Sequence, residues 1–147
     1  MKELWVEKYR PSNIGQYVFR DEKQKHQVQS WVESGAITHL LFSGSAGTGK
    51  TTLAKVLLKE LGVDDGDVMF INASSENNVD TMRTKINGFA SSLPFGGEFK
   101  YVLLDESDYL SQNAQAILRN MMETYSSTCR FIPVSYTHLT LPTILLV

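Results

Sequence analysis

One stretch constrains this chain more than any other: Gly44-Ser45-Ala46-Gly47-Thr48-Gly49-Lys50-Thr51. It fits the pattern G-x-x-x-x-G-K-[ST] and sits where that pattern has a mechanism. Before it, Thr38-His39-Leu40-Leu41-Phe42 reads as a short apolar strand. After it, Thr52 to Leu61 reads as an amphipathic helix, with Leu53, Val56, Leu57 and Leu61 at helical spacing. Glycines let such a loop fold back so that main-chain N–H groups face a phosphate chain, and the helix start adds its positive end. Lys50 reaches the outer phosphates, the Thr51 hydroxyl can ligate Mg²⁺, and Thr52 completes the candidate nucleotide-binding set. The expected ligand is a nucleoside triphosphate, taken as ATP, with Mg²⁺.

Composition narrows the surroundings of that loop. A chain of 147 residues, 42% hydrophobic and 20% charged, is one domain's worth and long enough for a packed core. A net charge of −2 argues against a generally basic nucleic-acid binder, while leaving room for a local basic patch. The single cysteine, Cys129, excludes a disulfide framework and a thiolate metal cluster, which fits a reducing cytoplasm. His26, His39 and His138 show no ligand spacing, so no metal beyond Mg²⁺ is expected. Met1 to Arg10 is too polar for a signal peptide, and no apolar run is long enough to span a bilayer, so no membrane partner is expected.

Strands alternating with helices predict an α/β fold with a parallel sheet covered on both faces. Residues 1–20 form an arm over the nucleotide site, extended near Pro11, because a proline disfavours helix at the residue before it. Residues 21–133 form the core. A helix covers Asp21 to Glu33 and ends at Gly35, and Asp67 to Asn72 reads as a second buried strand. Asn78 caps a helix from Val79 to about Ser91, Lys100 to Asp105 is a third strand, and Ser111 caps a helix ending near Tyr125. Cys129 to Ile132 begins a fourth strand. From Val134 to Val147 there is no charge, and the run reads as one frame of a translated sequencing adapter. It is therefore left out of the fold reading as an engineered scar, the alternative being a genuine terminal strand.

Tyr101-Val102-Leu103-Leu104-Asp105-Glu106 is an apolar run that ends in two carboxylates. In a parallel sheet the C-terminal strand ends form the ligand edge, which predicts Asp105 beside the phosphate loop. There Asp105 could hold Mg²⁺ through water, and Glu106 could orient and deprotonate an attacking water. The second carboxylate favours hydrolysis over transfer to a bound acceptor, and no acceptor-binding cluster is evident for a small-molecule phosphotransferase.

Trp5-Val6-Glu7-Lys8-Tyr9-Arg10-Pro11, the phosphate loop, Ile71-Asn72-Ala73-Ser74, Val102-Leu103-Leu104-Asp105-Glu106 and the run from Ala114 to Glu123 together resemble the sliding-clamp loader ATPases. These are AAA+ proteins that include replication factor C small subunits and the large subunit of T-even-type phage loaders, and the likeness suggests a viral source. It implies a P-loop ATPase of three αβα layers, truncated after the fourth strand. It further implies partners: a sliding clamp, primer–template DNA and the other subunits of a ring. By the same resemblance Tyr9, Arg10, Pro11, Tyr17 and Val18 lie near the adenine, or else simply pack the arm on the sheet. Arg83 and Lys85 match positions that track DNA backbone phosphates. Gln115 and Arg119 match positions that link the ATP site to DNA and to a neighbour, and Glu123 one that faces the neighbour's site. All five could equally be solvated helix positions.

The family's polar sensor residue, its arginine finger, lid and collar would lie beyond Ile132. The expectation is therefore ATP binding with little hydrolysis, an open apolar edge on the phosphate-loop strand and marginal stability. Two alternatives remain: another AAA+ DNA-processing ATPase, such as a helicase loader or branch-migration motor, or a non-hydrolysing nucleotide-binding scaffold.

Overall fold

The computed structural model describes residues 11, 13–17, 19, 21–35, 37–43, 49–75, 78–136 and 144–146. Four helices, α1 (Glu22–Ser34), α2 (Lys50–Glu60), α3 (Val79–Ala90) and α4 (Gln112–Thr124), alternate with strands β1 (His39–Ser43), β2 (Val68–Asn72), β3 (Lys100–Asp105) and β4 (Cys129–Ser135). With β5 (Ile144–Leu146) they build one sheet in the order β2-β3-β4-β1-β5, and every pairing is parallel.

The helix boundaries follow from local chemistry. Asp21 accepts the Gln24 N–H at 2.8 Å and starts α1, and Gly35 ends it in the left-handed region at φ 72°. Asn78 accepts the N–H groups of Asp80 and Thr81 at the start of α3, and the Ser111 hydroxyl accepts that of Ala114 at the start of α4.

Both faces of the central strands are buried, which explains their continuous apolar runs. On β3, Tyr101 and Leu103 pack with Val28 of α1 and Leu53 and Leu57 of α2. The alternate residues Val102 and Leu104 pack with Met82 and Ile86 of α3 and Leu118 and Met122 of α4. The helices thus lie on the two sides of the sheet, as the alternation predicts, and the C-terminal tips of β1, β3 and β4 come out at one edge.

Three expectations are corrected. Only Ile71 of β2 is buried, because among the described residues β2 is an outer strand with no neighbour beyond it; Phe70 is 47% exposed and lies under the Lys55 ammonium, 4.7 Å from its ring centre. The helix after the phosphate loop begins at Lys50 rather than Thr52, so Lys50 and Thr51 occupy its first turn. The third concerns the edge of β1, which the uncharged tail joins. Val134 and Ser135 extend β4 in register with Phe42 and Ser43, and Ile144 to Leu146 pair with His39 to Leu41. The expected open edge on β1 is therefore filled. An unpaired strand offers a row of N–H and C=O groups, and a nearby uncharged run rich in β-forming residues can satisfy them.

Candidate nucleotide site

Gly49 caps α2 with φ 79°, a conformation that favours glycine, and this turn delivers Lys50 and Thr51 to the start of the helix. Gly44 to Thr48, together with Tyr9, Arg10 and Val18, lie outside the described residues. Pro11 is half-buried. Tyr17 stands against the end of the phosphate loop: a Cβ built on Gly49 would lie 3.2 Å from its Cε2 and 3.2 Å from its hydroxyl oxygen. Tyr17 also meets Phe19 edge-on, and burial pushes its phenol above the ordinary tyrosine range.

β3 brings Asp105 to the same place. The Thr51 hydroxyl donates to Asp105 Oδ1 at 3.0 Å across a sequence separation of 54 residues. Asp105 Oδ1 also accepts the Glu106 N–H at 2.9 Å. A hydroxyl and a carboxylate converging in this way are hard oxygen donors of the type Mg²⁺ takes, so the residues present fit that ion. Burial draws the Lys50 ammonium below the usual lysine range, opposed by the charges of Asp105 and Asp108. A partly desolvated ammonium at a helix start is stabilised by an incoming anion.

Glu106 is exposed and holds φ 53°, the only positive φ outside glycine among the described residues. Such a backbone costs on the order of 1–3 kcal/mol. It turns the chain sharply from the strand tip into a short 3₁₀ turn, Ser107–Tyr109, whose Ser107 hydroxyl donates to the Leu104 carbonyl at 2.8 Å. A Glu106 carboxylate oxygen accepts from the Ser74 hydroxyl, which also lies 2.6 Å from Asn72 Oδ1. One hydroxyl proton serves one of these acceptors at a time. Sequence reasoning assigned Ser74 and Asn72 no role. The signal was available, because Asn72 pairs with Asp105 in the β2–β3 ladder, and consecutive strands of such units are commonly neighbours.

The residues expected at DNA or subunit contacts lie on α3 and α4. Arg83 and Lys85 are exposed on α3, where Arg83 pairs with Asp80 at 2.7 Å. Asn78 already engages two N–H groups at that helix start. Gln115 is half-buried on α4 and donates to the Leu110 carbonyl at 3.2 Å; Arg119 is half-buried and Glu123 exposed on the same helix. Among the described residues no cluster of three His, Cys, Asp or Glu could hold a metal ion, and no helix is long and apolar enough to cross a membrane.

A parallel α/β sheet whose first strand leads through a glycine loop into α2, with a first-turn hydroxyl on a neighbouring strand-tip carboxylate, defines a P-loop NTPase fold of the AAA+ type. Comparison with known proteins agrees. The chain belongs to the family of the Rad17 P-loop domain, whose model matches residues 1–123. It is 46% identical over 132 residues to the replication factor C small subunit of Methanoregula boonei, covering 88% of this chain and 41% of that protein. Against the same subunit of Archaeoglobus fulgidus it is 47% identical over 133 residues, again 88% of this chain and 41% of the relative. The chain thus spans about two fifths of the length of these relatives. Among solved structures, the Thermotoga maritima RuvB Holliday junction branch migration motor superposes with a TM-score of 0.70 at 18% identity, over 95% of this chain and 48% of its own. A DNA polymerase III gamma subunit-related protein from the same organism gives 0.61 at 19%, over 82% and 45%. At such identities the likeness speaks to the fold.

Proposed function

We propose that this chain is the nucleotide-binding part of a sliding-clamp-loader ATPase, which takes ATP with Mg²⁺ and works with a clamp, primer–template DNA and further subunits of a ring. The observation that carries the ATP reading is the 3.0 Å hydrogen bond between Thr51 and Asp105, which joins the end of the phosphate loop to the strand tip. Identity to replication factor C small subunits supports the assignment to a loader.

In this reading the main-chain amides from Gly44 to Gly49 cradle the phosphates, and Lys50 and Thr52 contact them from the start of α2. Thr51 and Asp105 would hold Mg²⁺, Asp105 through water. When bound, the ion offsets negative charge that builds on the phosphoryl oxygens. Glu106 orients the attacking water and accepts its proton. Ser74 restrains the Glu106 carboxylate, and the exchange of its hydroxyl between Asn72 and Glu106 sets how readily that carboxylate meets water.

Hydrolysis by this chain alone should stay near background, because fingers supplied by a neighbour contribute about 10³–10⁵ in rate in related enzymes. Titration with a fluorescent ATP analogue, with and without Mg²⁺, tests the site. Thr51→Ala and Asp105→Asn should each weaken the Mg²⁺-dependent part of binding by about tenfold or more, while Glu106→Gln leaves binding intact. Equal affinity for the parent and all three variants would refute the site. Robust turnover by the purified chain, lost in Glu106→Gln, would refute the expectation of slow hydrolysis. We also read residues 134–147 as translated adapter; the same run continuing into ordinary coding sequence in an independent clone would refute that.

A further inference from the structure

We propose that Asp108 is a positioning residue for the nucleotide site, holding the main chain at the C-terminal tip of β4 beside the start of the phosphate loop. The inference rests on the nucleotide reading above. Its geometric basis is a hydrogen bond: the Tyr136 N–H, immediately after β4, donates to Asp108 Oδ1 at 3.1 Å.

The turn that carries Asp108 is itself held firmly. Ser107 is fully buried with its hydroxyl on the Leu104 carbonyl, and the Tyr109 N–H donates to the Glu106 carbonyl at 3.0 Å. Asp108 is thus fixed a single turn away from the Asp105 and Glu106 carboxylates. On the other side, Ser135 pairs with Ser43, the last residue before the phosphate loop. Position 136 therefore follows β4 next to the point where the loop leaves β1. A carboxylate accepting the N–H there ties the tip of β4 to the turn after β3. The Asp108 charge also reaches Lys50, so the same group faces the ammonium at the start of α2. The acceptor needs only a main-chain N–H, which any residue except proline supplies at position 136.

Asp108→Ala removes the acceptor, whereas Asp108→Asn keeps an oxygen in its place and removes only the charge. Amide hydrogen exchange at Tyr136 and titration with the fluorescent ATP analogue separate the two on the full chain. Exchange at Tyr136 should quicken by about tenfold or more in Asp108→Ala and stay near the parent in Asp108→Asn. Affinity for the analogue should fall by about threefold or more in Asp108→Ala. It should hold or tighten in Asp108→Asn, since a carboxylate beside a triphosphate is repulsive. Unchanged Tyr136 exchange in Asp108→Ala, or equal losses in both variants, would overturn the proposal. If the parent bound no analogue, the nucleotide reading would fall, and the exchange measurement would still decide whether Asp108 holds the tip of β4.

Discussion

Gly49 meets two independent demands at one position. Its φ of 79° is costly for a side-chain-bearing residue, and a Cβ would press on the Tyr17 ring and hydroxyl at 3.2 Å. Gly49→Ala should therefore lower stability by more than about 1 kcal/mol and weaken nucleotide binding as well, measured by urea unfolding and analogue titration. An unaffected variant would mean that Tyr17 yields without consequence. Cys129 makes a different residue-scale prediction. Burial pushes its thiol up to about 12, and the side chain is fully enclosed. A disulfide exchange reagent at pH 8 should leave the native chain unlabelled and modify it at once in denaturant. The contrast between these residues and Ser74 shows what the sequence could convey. Lys50 and Thr51 were legible because the motif makes them covalent neighbours of the glycines. Asp105 was legible because apolar runs ending in carboxylates have a known direction in a parallel sheet. Strand adjacency could bring Asn72 and Ser74 only as far as the tip of β3; the contacts that Ser74 and Asp108 make there were not legible, since no spacing rule gives the left-handed backbone of Glu106.

At the scale of elements, α1, α3 and α4 were read well because each begins or ends on a residue with its own local chemistry: Asp21, Gly35, Asn78 and Ser111. Strand burial was less legible, since the apolar text of β2 does not say that it lies at the edge of the sheet. One contact at the junction of β1 with β4 has no signature in the sequence. There the His39 imidazole is buried, with Nδ1 accepting the Phe131 N–H at 3.0 Å, so a side chain supplies what a strand ladder ordinarily would. Accepting that bond requires the neutral ring. Burial, with the Arg130 charge adding to it, lowers the His39 pKa from its usual 6.5. Below pH 6.5 the unfolded chain takes up a proton that the native ring resists, so unfolding gains ground. The contribution of His39 is whole above that pH and is lost as pH falls through the native value. Stability should therefore fall on acidification below neutrality by at most about 1.4 kcal/mol per pH unit from this group. His39→Gln should flatten that part of the profile. A parent and variant with parallel pH profiles in urea unfolding would remove His39 as the cause.

At the scale of the whole molecule, the parallel sheet and its two-sided helical cover were readable from the alternation of strands and helices. The way the sheet closes on its β1 side was not, because an uncharged run rich in β-forming residues does not say which strand it will join. β1 runs through the core with Leu40, Leu41 and Phe42 buried, and its outer ladder is completed by residues 144–146. Deleting residues 137–147 removes that strand and leaves three consecutive positions of β1 unpaired on one side. Unpaired, apolar and central, such an edge templates pairing with another chain. The shortened chain should show a lower unfolding temperature than the parent and concentration-dependent association by light scattering. Replacing Leu145 by Pro in the full-length chain should move both quantities the same way, since proline brings no main-chain N–H to a strand ladder. A shortened chain that stays monomeric and melts where the parent does would mean that the edge of β1 is protected without β5. The stability expected of the chain would then have to come from the four-stranded portion alone.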